Sequence, residues 1–171
     1  MRRSALTLAL AAVFAGLVGC GGSGNPDERT LHASRLPFTF RYPAAFHASA
    51  PQRGPILAVV ALDARDALAV RRTSKRELDP AQYLAGLRAG FARQGLHATQ
   101  RRERHAGRDM GVLAVDLPAT NPAAGGRTAL QTTSYFFAGG GGTWQLECRT
   151  AARRADVGRA CRMALSTLRF E

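Results

Sequence analysis

The chain has 171 residues, 46% of them hydrophobic, and 24 basic against 12 acidic side chains give it a net charge of +12. This length and apolar content exclude a disordered polymer and leave room for one domain with a real core, by the usual prior of about 100 to 200 residues per domain. There is no internal repeat, and the basic excess points toward anionic partners.

The first stretch, MRRSALTLALAAVFAG, sets a short positive start before apolar residues that end in small ones, the layout of an export signal. Its apolar run from Ala5 to Val18 is 14 residues long, whereas a bilayer-spanning helix needs about 20. The segment is therefore expected to be removed. Arg2 and Arg3 are followed by no fuller twin-arginine motif, so general secretion is the expected route. Leu17-Val18-Gly19-Cys20 resembles the lipobox of bacterial lipoproteins: an apolar residue, two compact ones that fit a narrow protease site, and a cysteine whose sulfur takes a diacylglyceryl group. The resemblance implies that residues 1–19 are a signal peptide and that Cys20 becomes the lipidated first residue, anchoring the chain to the outer face of the cytoplasmic membrane. An ordinary signal with an incidental cysteine is the competing reading; position, flank and small residues together favour the lipobox. GGSGNPDER, residues 21–29, is too rich in glycine, serine and proline to pack and is expected to be a tether. Ser23 has no strand before it or helix after it and is not a hydrolase elbow.

Residues 30–171 are expected to form a single domain. Phe38, Phe40 and Tyr42 alternate with Thr39 and Arg41 in a half-exposed strand closed by Pro43. The run 55–62, PILAVVAL, is apolar on both faces, as a central strand would be, and DARD at 63–66 turns it toward ALAVRR. Asp79 and Pro80 supply an N-cap and a first-turn proline for a helix with Tyr83, Leu84, Leu87 and Phe91 as its apolar stripe and Gly95 at its end. Gly86 and Gly90 inside it are expected to permit close approach to a sheet. Strands follow near 96–104, 109–117, 127–137 and 143–149, with turns at HAGRD and AGGGG, and a last helix covers about 151–168.

Apart from Cys20, the chain holds Cys148 and Cys161, an even pair in an exported protein. In TWQLECR, Trp144, Leu146 and Cys148 share one strand face; downstream, Val157, Ala160, Cys161, Ala164, Leu165 and Leu168 fall at helical spacing. Both cysteines thus lie on buried faces, and a strand-to-helix disulfide is expected rather than a metal site.

Strands, helix, several strands and helix, joined by hairpins, predict an α+β fold: a mainly antiparallel β-sheet flanked by two helices. The segment FRYP at 40–43 ahead of an apolar hairpin, the Tyr83-Leu84 helix, the glycine-rich hairpin into TWQLECR and the terminal helix ending LRF together resemble the PsbP-like α/β/α fold, and more particularly secreted actinobacterial lipoproteins of the LpqN type. The resemblance spans most of residues 36–170 and implies a non-enzymatic accessory or binding domain, since the photosynthetic relatives stabilise an oxygen-evolving complex. It carries over no ion-binding residues.

Catalytic signals are absent from the sequence. The tetraglycine 139–142 precedes a strand, so no helix N-terminus cradles a phosphate there. His32, His47, His97 and His105 show no metal-ligand spacing, and no cofactor is expected. Asp63 and Asp66 are explained by a turn that needs local backbone hydrogen bonds. A small envelope enzyme with a site assembled only in three dimensions is the alternative. Removing residues 1–19 leaves 22 basic and 12 acidic residues, a net +10, and every basic residue except Lys75 is arginine. Two clusters, Arg71, Arg72, Lys75 and Arg76 in RRTSKR, and Arg101, Arg102 and Arg104 in RRER, are the candidate ligand-binding residues. On one cationic face they would attract anionic lipid or wall polymer, or an envelope protein partner. Solvated surface that discourages edge pairing explains them as well. Arg153 and Arg154, at the start of the last helix, are expected to face water. Export removes the chain from nucleic acid.

Overall fold

The computed structural model describes residues 25–51, 53–121 and 126–171. The expected signal peptide, Cys20 and the first part of the tether lie outside the described residues. Five strands precede the first helix: β1 (Glu28–Leu31), β2 (Phe38–Pro43), β3 (His47–Ser49), β4 (Ile56–Ala61) and β5 (Ala67–Ser74). Helix α1 (Pro80–Arg93) leads into β6 (Ala98–His105), β7 (Arg108–Asn121), β8 (Gly126–Gly139) and β9 (Gly142–Thr150). Helix α2 (Arg154–Thr167) and β10 (Arg169–Phe170) complete the chain.

Seven strands form one sheet in the order β3-β4-β5-β9-β8-β7-β6, and all of its pairings are antiparallel. Two-residue turns set its registers. His105 pairs with Arg108 across Ala106 and Gly107, and Gly139 pairs with Gly142 across Gly140 and Gly141. Both turns need positive φ at both central residues, the geometry whose twist matches a hairpin. Ala106 adopts it at φ 48°, without glycine's freedom.

The period of two then sorts side chains. Val60, Leu68, Val70, Val112, Phe137, Trp144 and Leu146 are buried on one face, where α2 and β2 cover them in the larger core. Trp144 buries its ring edge-on to Phe38 and donates its indole N–H to the carbonyl of Gly139 at 2.8 Å. Leu113, Val115 and Phe136 point to the other face and meet Leu84 of α1 in a smaller core.

The α+β architecture, both long helices and the longer strands agree with the sequence reading, with five differences. Strand β3 had no counterpart in that reading. The FRYP strand, β2, is not in the main sheet: with β1 and β10 it makes a separate three-stranded one, in the order β1-β2-β10. Its alternation reported burial against α2 and carried no information about which sheet it joins. β1 begins at Glu28, inside the segment expected to be tether. The 55–62 run is not central, because β3 lies outside it and its second face is only half-buried. The residues after α2 do not simply end the chain; Phe170 pairs with Phe38.

Two constraints place α2. Cys148 of β9 and Cys161 of α2 form a disulfide with a Cα separation of 6.1 Å. The second comes from the β4–β5 turn, where only one of the two aspartates behaves locally. Asp63 accepts from the backbone N–H groups of Arg65 and Asp66 at 2.7 and 2.8 Å. Asp66 is buried and instead reaches the entry to α2, accepting from Thr150 Oγ1 at 2.6 Å and from the N–H groups of Ala151 and Arg153 at 3.0 Å. Arg153, the residue before the helix, offers no side-chain cap, and the Asp66 carboxylate instead fixes the connection from β9 into α2 by binding the N–H groups that lead up to the helix. Burial opposes its charge, but the hydrogen bonds from Thr150, Arg153, Ala151 and Ala152 outweigh that and hold its pKa below the ordinary carboxylate value.

Breaking the disulfide with Cys148→Ala and Cys161→Ala is expected to cost about 3 kcal/mol, a fall of roughly 10 °C in melting temperature. Two free thiols in non-reducing peptide maps, or a melt indifferent to reductant, would contradict the pairing. Because the folded pKa of Asp66 is depressed, its contribution is complete above the unfolded value of about 4 and is lost as pH falls through the folded value. Asp66→Ala should therefore destabilise the domain at pH 7 by about 1–3 kcal/mol, and the deficit should shrink in melts run at progressively lower pH. A deficit that stayed constant with pH would refute this role.

Candidate binding groove

Helix α1 starts where Asp79 accepts from the N–H of Ala81 at 2.9 Å and Pro80 presets the first turn. The stripe Tyr83, Leu84, Leu87 and Phe91 lies against β6, β7 and β8, with Leu84 fully buried. Close approach does not depend on Gly86 or Gly90, contrary to expectation: a Cβ on Gly86 would meet nothing within 4 Å, and one on Gly90 only the tip of Arg93. The glycine that admits the helix is in the sheet. A Cβ on Gly111 of β7 would overlap Leu84 Cδ1 and sit 3.1 Å from Pro80 Cβ.

Seated over β6–β8, α1 leaves the β5–β9 half of this face open. Between helix and bare sheet runs a cleft of about 460 Å³. Tyr83, Leu87 and Phe91 form its apolar wall, while its floor presents Arg71, Gln145, Glu147 and Arg149. Arg71 Nη2 donates to Glu147 Oε2 at 2.9 Å, and Gln145 Nε2 donates to Ser134 Oγ at 2.8 Å. The Nε atoms of Arg71 and Arg149 are buried and meet no acceptor among the described residues. Neither atom has accessible surface from which a ligand in the cleft could reach it. The cleft can hold something apolar on one side and anionic on the other. Ser134 accepts from Gln145, and no histidine is among the lining residues.

The seven candidate basic residues do not gather on one surface. On β5, Arg71 faces the groove, whereas Arg72 turns to the opposite face, 5.3 Å over the ring of Trp144, and donates to the carbonyl of Gly141 at 2.9 Å. Lys75 and Arg76 are exposed in the connection to α1. On β6, Arg101 pairs in register with Val112 and is bound by Glu103, while Arg102 pairs with Gly111 and points the other way. Arg104 lies 3.5 Å from Asp109. Three strands separate β5 from β6, which at about 4.8 Å per spacing puts the clusters ~19 Å apart. Consecutive residues on a strand point to opposite faces, so a run of arginines that looks dense in sequence is divided by the fold. Glu147, Gln145 and Arg149 were missed as groove residues; their alternation in TWQLECRT marked the face and not what it lined. Glu103 is held ionised against burial by His105, at 2.7 Å, and by Arg101. Among the described residues no three His, Cys, Asp or Glu side chains gather as a metal site requires.

No protein-family model and no curated protein matches the sequence. Structure is more informative. The solution structure of cyanobacterial PsbP (CyanoP) from Synechocystis sp. PCC 6803 superposes with a TM-score of 0.59 over 91% of this chain and 99% of that one, at 14% identity. The fold is PsbP-like. Coverage of nearly the whole of both chains means that the main sheet with its two helices is shared as a unit, as the resemblance implied. At this identity the likeness fixes architecture, and the PsbP-like scaffold takes its chemistry from its own side chains.

Exchanging glycines tests which of them positions the groove wall. Gly111→Ala should destabilise by about 1–3 kcal/mol through overlap with Leu84, while Gly86→Ala should stabilise by up to about 1 kcal/mol through helix propensity. Thermal unfolding of the two variants reads the contrast directly, and the same sign for both would contradict the packing described.

Proposed function

We propose that this PsbP-like chain is a lipid-anchored extracytoplasmic binding or accessory module of the bacterial cell envelope, allied to the secreted actinobacterial lipoproteins of the LpqN type. The observation that carries the binding role is the groove beside α1, with an apolar helix wall facing a floor that presents Arg71, Gln145, Glu147 and Arg149. Its complement is an anionic envelope ligand, or a protein partner, that also presents apolar surface. Anchoring rests on the lipobox-like Leu17–Cys20 segment, and among the described residues no helix is long and apolar enough to cross a membrane. Attachment through Cys20 would supply membrane residence without a spanning segment.

Cys20→Ser should release the exported protein from membranes and abolish its labelling by radioactive fatty acid or glycerol. Unchanged retention with unchanged labelling would remove the lipid-anchor reading.

A further inference from the structure

A second cleft of about 460 Å³ lies on the opposite face of the sheet, where α2 stops short of covering β8. Its lining includes Arg154, Arg159 and Arg162 from the helix and Thr133, Tyr135 and Thr150 from the strands, with no carboxylate among its lining residues. Arg154, Gly158 and Arg162 follow at intervals of four and share one helix face. Arg162 lies back over Gly158, its Nη1 3.5 Å from where a Cβ would be. That posture carries its guanidinium toward Arg154, as helical side chains lean toward the N-terminus. Neither Arg154 nor Arg162 has an ion-pair partner among the described residues. Asp156, the nearest acid on the helix, is engaged by Arg153 at 2.8 Å and by Arg159 at 3.9 Å. Across the cleft Arg101 is neutralised by Glu103, so the positive field comes from α2. Burial pushes the Tyr135 phenol up, aided by Glu103, while Arg101 and Arg162 pull against that; both arginines therefore lie within electrostatic reach of its hydroxyl.

We infer that this cleft is a phosphate-binding site, with α2 supplying the guanidinium groups and Thr133 and Tyr135 supplying hydroxyl donors, while the Thr150 hydroxyl is committed to Asp66. A carboxylate is satisfied by one arginine, whereas a phosphate offers enough oxygens to engage two guanidinium groups and a hydroxyl together. Gly158 fits the same purpose. It weakens the middle of a helix, yet it keeps the space between the two arginines open. This inference deepens the anionic-ligand reading by giving the ligand's chemistry and a location distinct from the α1 groove; it rests on that reading only for the compartment.

The full exported Cys20→Ser chain should be titrated at low salt with inorganic pyrophosphate and with glycerol 3-phosphate, and floated with vesicles of phosphatidylglycerol or of phosphatidylcholine. Arg154→Gln with Arg162→Gln should weaken phosphate binding by roughly tenfold or more, the size of one lost charge-assisted bond. Gly158→Leu, which keeps every arginine and raises helix propensity, should weaken it comparably by filling the cleft. A charge-matched control on the other helix, Arg88→Gln with Arg93→Gln, should change it by less than about twofold, as for a screened distant pair. Binding to phosphatidylglycerol vesicles without binding to the soluble esters assigns a lipid headgroup, and binding to glycerol 3-phosphate assigns a free phosphate ester; either supports the site. Equal losses in the α1 and α2 charge variants, full binding by Gly158→Leu, or no binding to any of these phosphates would overturn it. The membrane retention of the native Cys20 chain is measured separately, so failure of the anchor and failure of the site are distinguishable.

Discussion

The carboxylate of Asp66 connects parts of the chain that sequence distance keeps apart. It leaves the β4–β5 turn, is buried, and collects the hydroxyl of Thr150 and successive backbone N–H groups where β9 becomes α2. Those N–H groups belong to the residues that lead into α2, and unpaired they would carry the desolvation cost of a buried donor. Thirteen residues separate Cys148 from Cys161, and between them the disulfide and the Asp66 carboxylate fix both the origin of α2 and its second turn. The helix axis over the larger core follows from these two ties, and β2 packs on what they place.

A sheet of seven strands is wider than one helix. A helix with its side chains is about 10–12 Å across, whereas the sheet spans six spacings of about 4.8 Å. Each helix therefore covers only part of its face, and here the covered parts are offset: α1 lies over β6–β8, and α2 over β5 and β9 together with β2. The uncovered parts are a matched pair of clefts on opposite faces. Polar side chains collect on their floors because strand alternation still sends a residue there, and hydration favours one that can bond. The two clefts differ in character because the helices do. An apolar residue stripe borders the first, and an arginine-bearing edge borders the second.

Much of the architecture was legible because its signals are long and periodic. Trp144, Leu146 and Cys148 gave a strand face, and Asp79-Pro80 with four apolar residues at helical spacing gave α1 to within two residues. β1, β3 and β10 were missed because strands of four, three and two residues are too short to show alternation. Asp66 read as a turn residue because its partners lie 84 to 87 positions away. Gly111 had no signal beyond being a glycine in a strand, and the more visible helix glycines drew the explanation that belongs to it. The distribution of charge follows the same geometry. Adjacent arginines on β5 and β6 are divided between faces, whereas Arg154 and Arg162, eight apart on α2, share one helix face, so linear density alone does not mark a cationic surface.

That distinction governs how charge could serve a tethered domain. If Cys20 carries the lipid, the eight residues from Cys20 to Asp27 limit the start of β1 to about 29 Å from the membrane, whatever their conformation. Such a reach is several times the physiological Debye length of about 8 Å. Net charge alone would therefore be screened at full extension and felt only when the domain lies near the surface, where it acts on any anion alike. A cleft behaves differently, because its guanidinium groups act at contact distance, where little screening intervenes. The dispersed arginines of β5 and β6 can give the domain its general attraction to an anionic surface, while arginines that share one helix face beside a cleft, as Arg154 and Arg162 do, are placed to engage a single anion together.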